Sequence, residues 1–196
     1  MTDTNRRRSL DVRLRIDREA RAILNLGDIV RLTDAATSAT FYRDDLTDEQ
    51  RAANQRVVDI SEPTAHAAGD NDHQHFAAAF VDGVFAGYVI ATRHGPQNDE
   101  LDWLMVHPDY HGTNVADELM RAGIEWLGTD KPMWLNVIRH NTRAIRFYEK
   151  FGFKVDPTAT TAHIVPHVIM RRATKPRRHK AADSSKIVRG TEGSSP

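Results

Sequence analysis

The spacing of apolar positions predicts a strand and then a helix at the start of the chain. Residues 10–16 alternate between apolar and polar side chains, as a half-buried strand does. Asp17 then stands where a helix N-cap is expected, and the apolar residues after it, up to Leu24, recur at helical spacing.

A second helix is expected to begin at Thr47-x-x-Gln50. This pattern is a capping box, in which each side chain binds the backbone N–H of the other residue. Pro63 is expected to end the helix, because proline has no N–H to donate. Residues 64–74 are then predicted to form a loop.

The middle of the chain predicts three strands. Residues 76–81 and 84–92 are apolar runs on either side of Asp82-Gly83, a dipeptide that tolerates the positive φ angles of a tight hairpin. A third strand, residues 100–106, is expected to end before Pro108, since proline cannot donate to a sheet.

The last part of the domain predicts two helices among further strands. Apolar residues recur at helical spacing from Val115 onward, which indicates a well-buried helix. Asn141 or Thr142 can cap a second helix, and Gly152 stands where its C-terminus favours a positive φ. The strands are expected at residues 133–138, 153–155 and 163–171. Together these elements predict an α/β protein with a mixed, largely antiparallel sheet of about six to seven strands flanked by helices.

Composition indicates a soluble, single-domain protein. The 196 residues are 40% apolar and 28% charged, and no apolar run approaches the roughly 20 residues that span a bilayer. The absence of cysteine excludes disulfides, cysteine-based metal sites and a covalent cysteine intermediate. His66, His73 and His75 fall in a predicted polar loop without a carboxylate ligand pattern, so we expect no metal. We expect a domain at residues 10–173 and a cytoplasmic location.

Charge is distributed unevenly along a chain whose formal net charge is zero. Residues 171–196 hold eight of the 27 basic and two of the 27 acidic residues, which leaves 19 basic and 25 acidic residues before them. We expect a flexible N-terminus at residues 1–9 and a basic, disordered tail at residues 174–196. An acidic body favours a cationic substrate, so we expect no nucleic-acid partner except through the tail. The sequence leaves a homodimer open.

Two segments carry candidate chemistry. The strand at residues 100–106 leads through a small-residue loop into a helix, whose free N–H groups and positive dipole end suit a pyrophosphate. An ordinary strand-to-helix turn has the same pattern. Asn141 and Tyr148 are seven residues apart and share a helical face, although a cap and a packing aromatic would also be spaced so.

Taken together, these segments resemble the GCN5-related N-acetyltransferase (GNAT) family over roughly residues 10–170. The resemblance is carried by ELDWLMVHPDYHGTNVA (residues 100–116), LNVIRHN (135–141) and AIRFYEKFGF (144–153). It implies the GNAT fold and an acetyltransferase that moves the acetyl group of acetyl-CoA to a small-molecule or peptide amine by direct attack in a ternary complex. The alternative is a non-catalytic relative that senses acyl-CoA or binds a partner or nucleic acid.

The resemblance also implies a set of cofactor contacts. The pantetheine arm would pair with the backbone of Leu104 and Val106 and touch Asn141, and the pyrophosphate would lie on the N–H groups of residues 112–117. The full set of implied acetyl-CoA contacts is Leu104, Met105, Val106, His111, Gly112, Thr113, Asn114, Val115, Ala116, Asp117, Asn141 and Tyr148. Tyr148 matches the family position of the acid that protonates the leaving thiolate.

The phosphate loop departs from the family pattern Arg/Gln-x-x-Gly-x-Gly/Ala at two places. His111 stands in the first position and Asn114 where glycine is usual, whereas Ala116 fits. Because asparagine tolerates a left-handed backbone, we expect the loop to form with the Asn114 side chain turned outward.

The base that deprotonates the amine has several candidates. Glu100 and Asp102 share one face of the strand by the period-two rule, although both could be solvated surface carboxylates. Glu100 is preferred, because the resemblance gives many family members a base there. Asn136 stands where some protein N-terminal acetyltransferases have glutamate, and His107 and His111 are less favoured candidates.

Overall fold

The computed structural model of the chain describes residues 9–173. In chain order its elements are β1 (Val12–Ile16), α1 (Asp17–Ile23), α2 (Leu26–Thr40), α3 (Asp48–Ala68), β2 (Gln74–Val81), β3 (Val84–Arg93), β4 (Asp99–Val106), a short 3-10 helix (Pro108–Tyr110), α4 (Val115–Leu127), β5 (Met133–Ile138), α5 (Thr142–Lys150), β6 (Lys154–Val155) and β7 (His167–Arg172). The predicted flexible residues before Ser9 and the predicted basic tail, the one place where nucleic acid could bind, lie outside the described residues. No described helix is both long and apolar enough to cross a membrane.

The strands form one seven-stranded sheet in the order β1-β2-β3-β4-β5-β7-β6. All neighbouring strands are antiparallel except β4 and β5, which run parallel. The predicted class, a mixed and largely antiparallel sheet flanked by helices, is confirmed. The β2–β3 hairpin turns at Asp82 and Gly83 with φ angles of 51° and 80°, as the dipeptide predicts.

The sheet opens between β4 and β5. These two strands share a single register pair, Glu100 with Trp134, whereas β4 is paired with β3 along its whole length. Beyond that pair the facing edges of β4 and β5 have no partner strand among the described residues. The divergence therefore leaves a gap through the sheet, lined by backbone groups that are not paired with a described strand.

A β-bulge in β4 precedes this gap. Leu101 pairs with one residue of β3 and Trp103 pairs with the adjacent one, so Asp102 is an extra residue. Leu101 packs in the core beside α4, whereas Trp103 packs against the core beside α2. Side chains of a strand normally alternate between the two faces of the sheet. The bulge at Asp102 shifts this alternation, so Leu101 and Trp103 face opposite sides.

Two hydrophobic cores lie on opposite faces of the sheet, because alternate residues of β2 enter one core or the other. Helices α4 and α5 cover one face, and α1, α2 and α3 cover the other. Gly123 lets α4 lie directly on the sheet, since a Cβ there would come within 2.9 Å of Leu101 Cδ1.

Helix α3 is longer than the sequence predicts. Pro63 lies inside it, and the helix continues to Ala68, so the predicted loop at residues 64–74 is wrong for its first five residues. The last turn buries Ala65 and Ala68 in the core beside β2, and this burial outweighs the one hydrogen bond that proline cannot donate.

The N-terminal helical region also differs from its prediction. Ile16 occupies the N-cap position of α1, and Asp17 is the first helical residue, with a φ of 45°. Its carboxylate instead accepts a hydrogen bond from the backbone N–H of Phe76 at 3.0 Å, which ties α1 to β2. A second helix, α2, follows at residues 26–40, where none is predicted.

Candidate active site

The gap between β4 and β5 widens into a cleft of about 1240 Å³. One wall consists of the end of β4 and the loop that leads to α4, and a second consists of β5 and α5. The third wall, formed by α2 and α3, lies on the opposite face of the sheet from α5. The cleft is therefore open to ligands from both faces.

The loop before α4 has a single residue with a left-handed backbone. Gly112 has a φ of 81°, and a Cβ at this position would meet no atom within 4 Å. The Thr113 hydroxyl accepts a hydrogen bond from the backbone N–H of Val115 at 3.3 Å. Gly112, Thr113 and Ala116 line the cleft, so the start of α4 presents the positive end of its dipole there.

The backbone of Asn114 is not left-handed, and its side chain does not line the cleft. Its φ and ψ are −84° and 0°, so this position does not require a residue that tolerates a left-handed backbone. Its side chain exchanges two hydrogen bonds with Leu10, donating to the carbonyl oxygen at 3.1 Å and accepting from the N–H at 2.8 Å. Asn114 therefore joins the start of α4 to the segment before β1.

His111 holds an arginine beside this loop. Its Nδ1 accepts a hydrogen bond from Nη1 of Arg143 at 3.1 Å, and its ring also bonds to the backbone of Val106. Burial and the neighbouring guanidinium both lower the pKa of His111, which favours the neutral ring that can accept this bond.

A row of basic side chains on α5 faces the cleft. These residues were not identified from the sequence as part of the site. Arg143, Arg146 and Lys150 stand at helical positions i, i+3 and i+7 and all line the cleft. Among the described residues, none of the three has a carboxylate partner. Their common spacing along the helix is the signal that could have identified them.

Tyr148 and Asn141 both line the cleft. Asn141 is the N-cap of α5, as predicted, and its Oδ1 accepts from the N–H of Ala144 at 3.0 Å. Tyr148 is 9% exposed, and its hydroxyl has no hydrogen-bond partner in the described part of the chain. Burial raises the pKa of Tyr148 to about 12, so the hydroxyl keeps its proton at neutral pH.

The two candidate bases occupy different environments. Asp102 lines the cleft, whereas Glu100 does not. Glu100 is 6% exposed and accepts hydrogen bonds from His94 Nε2 at 2.6 Å and from Asn136 Nδ2 at 3.4 Å. The preference for Glu100 over Asp102 therefore does not fit the geometry, because Glu100 is buried behind the cleft wall. The bulge at Asp102, which depends on the pairing of β4 with β3, causes this difference between the two carboxylates.

The environment of Asp102 suits a base. Burial, followed by the charge of Glu100, raises the pKa of Asp102 to about 7, and a hydrogen bond with Thr92 opposes the shift. A carboxyl group with this pKa is half ionised near neutral pH and can both accept and release a proton.

Three further histidines differ in their position relative to the cleft. His107 pairs with Asp109 at 3.5 Å and lies outside the cleft. His163 and His167, which the sequence did not single out, line the cleft, and their rings are 4.3 Å apart. Within residues 9–173 no group of three His, Cys, Asp or Glu side chains could hold a metal ion.

The wall formed by α2 and α3 is mostly apolar. Its lining residues are Ala36, Thr40, Phe41, Ala53, Arg56, Val57 and Ile60. Ile60 is 46% exposed, so this surface has no covering partner in the described chain. Arg56 carries the one charge on this wall.

The edge of β4 offers backbone groups to an extended ligand. Leu104 and Val106 pair with β3 on one side, and on the other side β5 has already diverged. Leu104, Met105 and Val106 all line the cleft. An extended chain that carries amide groups can pair with this free edge as an added strand would.

Known proteins resemble the chain in sequence. The sequence model of the acetyltransferase (GNAT) family matches residues 38–153. Proteins of Mycobacterium tuberculosis and Mycobacterium bovis, named uncharacterized N-acetyltransferases, are 40% identical to it over 83 residues, covering 40% of this chain and 52% of theirs. The chain thus spans about half the length of these relatives.

Solved structures resemble the chain in fold. The PaiA N-acetyltransferase of Thermoplasma acidophilum, in complex with coenzyme A, has a TM-score of 0.64 at 18% identity and covers 84% of this chain and 99% of its own. A GCN5-related N-acetyltransferase of Rhodopseudomonas palustris, also described as a class-II aminotransferase, has a TM-score of 0.57 at 25% identity, with coverages of 82% and 94%. Because the family match spans more than half of the chain and the fold agrees with it, this chain belongs to the GNAT acetyltransferase family.

Proposed function

We propose that this protein transfers the acetyl group of acetyl-CoA to the nitrogen of an amine by direct attack while both substrates are bound. The observation that carries the proposal is the cleft between the diverging strands, which Asp102 and Tyr148 both line. Family membership, and the coenzyme A in the T. acidophilum structure, support acetyl-CoA as the acetyl donor.

The residues of the cleft fit this donor. The free edge of β4 at Leu104 and Val106 would pair with the amides of the pantetheine arm, near Asn141. The loop that begins at Gly112 would hold the pyrophosphate, since its missing Cβ leaves open space beside the N-terminus of α4. The guanidinium of Arg143 would add positive charge where the loop lacks the usual Arg or Gln.

Asp102 and Tyr148 have complementary roles in the proposed reaction. Asp102 takes one proton from the substrate ammonium, and the freed nitrogen attacks the thioester carbonyl carbon. A C–N bond forms and the C–S bond breaks. Tyr148 gives its proton to the departing thiolate and is reprotonated by the second proton that the nitrogen loses. Asp102 then releases its proton to solvent, so one proton is produced per acetyl group transferred.

Release of free thiol from acetyl-CoA in the presence of a panel of amines tests the proposal. The panel would contain amino acids, peptides, polyamines and aminoglycosides. We expect thiol release with at least one amine, together with a product heavier by one acetyl group. Coenzyme A binding without thiol release for any amine would overturn the proposal and support the non-catalytic acyl-CoA-binding alternative.

A further inference from the structure

Charges are divided between the two faces of the cleft. The residues that line it include four Lys or Arg side chains and one carboxylate, that of Asp102. Three of the cations, Arg143, Arg146 and Lys150, stand on α5, near the loop proposed to hold the phosphates of the donor. The fourth, Arg56, stands on α3, which packs on the opposite face of the sheet. Arg56 is therefore separated from the proposed phosphate site.

Arg56 is an exposed cation on an apolar surface. Ala53 and Ile60, three residues before it and four residues after it, share its helix face. Both line the cleft, as does the adjacent Val57. No described carboxylate forms an ion pair with its guanidinium. Arg51 on the same helix, in contrast, donates to the backbone carbonyls of Arg43 and Asp44. The Arg56 guanidinium is thus available to a ligand.

We propose that the acceptor is a primary amine whose apolar body carries an anionic group, and that Arg56 binds this group. The proposal rests on the function proposed above. The ammonium end of such an acceptor would approach Asp102, the apolar body would lie along α2 and α3, and the anion would meet the guanidinium. Each part of the acceptor then has a chemically matched partner in the cleft. A polycation would have no such partner at Arg56.

Three amines that differ only at the far end test the proposal. They are 6-aminohexanoate, hexylamine and 1,6-diaminohexane, whose distal groups are negative, neutral and positive. With saturating acetyl-CoA, we expect kcat/KM to fall in that order, by roughly 5- to 50-fold between the first two, as for one partly desolvated charged hydrogen bond. Equal values for the three amines, or a preference for the diamine, would overturn the proposal.

Variants of Arg56 assign the preference to this side chain. Arg56→Gln should bring the three values close together, and Arg56→Glu should reverse their order, while KM for acetyl-CoA stays unchanged. Arg18→Gln, at an exposed arginine of α1 outside the cleft, is the matched control and should keep the wild-type order. A rise in KM for acetyl-CoA in Arg56→Gln would place the guanidinium at the donor and contradict the proposal.

Calorimetry separates this proposal from the proposed catalysis. Titration of 6-aminohexanoate and hexylamine into the protein saturated with coenzyme A needs no turnover. We expect tighter binding of 6-aminohexanoate to the wild type and the loss of this difference in Arg56→Gln. If the wild type acetylates none of the three amines, the calorimetric difference still decides the role of Arg56. Equal affinities in wild type and variant would overturn that role whether or not acetylation occurs.

Discussion

At the scale of single residues, the Tyr148 hydroxyl has a proton to give and no protein partner among the described residues. If it protonates the leaving thiolate, Tyr148→Phe should lower kcat by about 10²–10⁴ and leave the affinity for coenzyme A nearly unchanged. Steady-state kinetics and calorimetry measure the two quantities. Tyr42→Phe, outside the cleft, is the control, and an unchanged kcat in Tyr148→Phe would exclude the role of Tyr148 as an acid.

Ionisation of the Asp102 carboxyl group costs stability. Its folded-state pKa of about 7 lies above its usual value of 3.8, so the folded protein loses stability as pH rises from about 4 to 7 and this group ionises. Asp102→Asn cannot ionise. We expect its stability relative to the wild type to improve over that range, by up to about 4 kcal/mol between pH 4 and pH 8, while kcat falls by about 10²–10⁴. Thermal melts at several pH values check the first effect, and a constant difference would contradict it.

At the scale of elements, Asn114 links the start of α4 to the segment before β1. Asn114→Ala removes both hydrogen bonds to Leu10 and keeps the helical backbone. We expect a loss of about 2 kcal/mol, or roughly 4–8 °C in Tm, and faster amide exchange in β1. Affinity for coenzyme A should change by less than about tenfold, because the side chain does not line the cleft. A tenfold or larger gain in affinity would show that asparagine impairs the loop.

Local signals explain which elements the sequence predicts well. The turn at Asp82-Gly83, the cap Asn141 and the positive φ of 87° at Gly152 depend on neighbouring residues alone, and the structure contains all three. Helix α2 was missed although Asn25 and Asp28 form a capping box at its start. Its three threonines and one glycine weaken its intrinsic helix preference, and packing against the sheet stabilises it.

The site was predicted less completely, because its geometry depends on distant pairings. The bulge that brings Asp102 rather than Glu100 to the cleft requires the register between β3 and β4, which no local pattern reveals. The bond between His111 and Arg143 joins residues 32 positions apart. The sequence nevertheless singled out the loop, Asn141 and Tyr148, because the family motifs are contiguous.

At the scale of the whole molecule, the cleft and the protein body carry opposite charges. Residues 1–170 contain 19 basic and 25 acidic residues, whereas four of the five Lys, Arg, Asp and Glu side chains that line the cleft are basic. A polyanion such as coenzyme A should therefore be held in the cleft in part by electrostatic attraction. This part of the affinity should weaken as salt increases.

The stability of the whole protein should report this attraction. Coenzyme A at about 100 times its Kd should stabilise the fold by about 2.7 kcal/mol, or roughly 5–10 °C in Tm. Raising NaCl from about 50 to 500 mM should reduce the shift, since the Debye length falls several-fold. Arg143→Gln should reduce both the shift at low salt and its dependence on salt, whereas Arg121→Gln, on the outer face of α4, should change neither. A shift that is independent of salt in the wild type would mean that hydrophobic contacts with the pantetheine arm, and not the cations of α5, dominate binding.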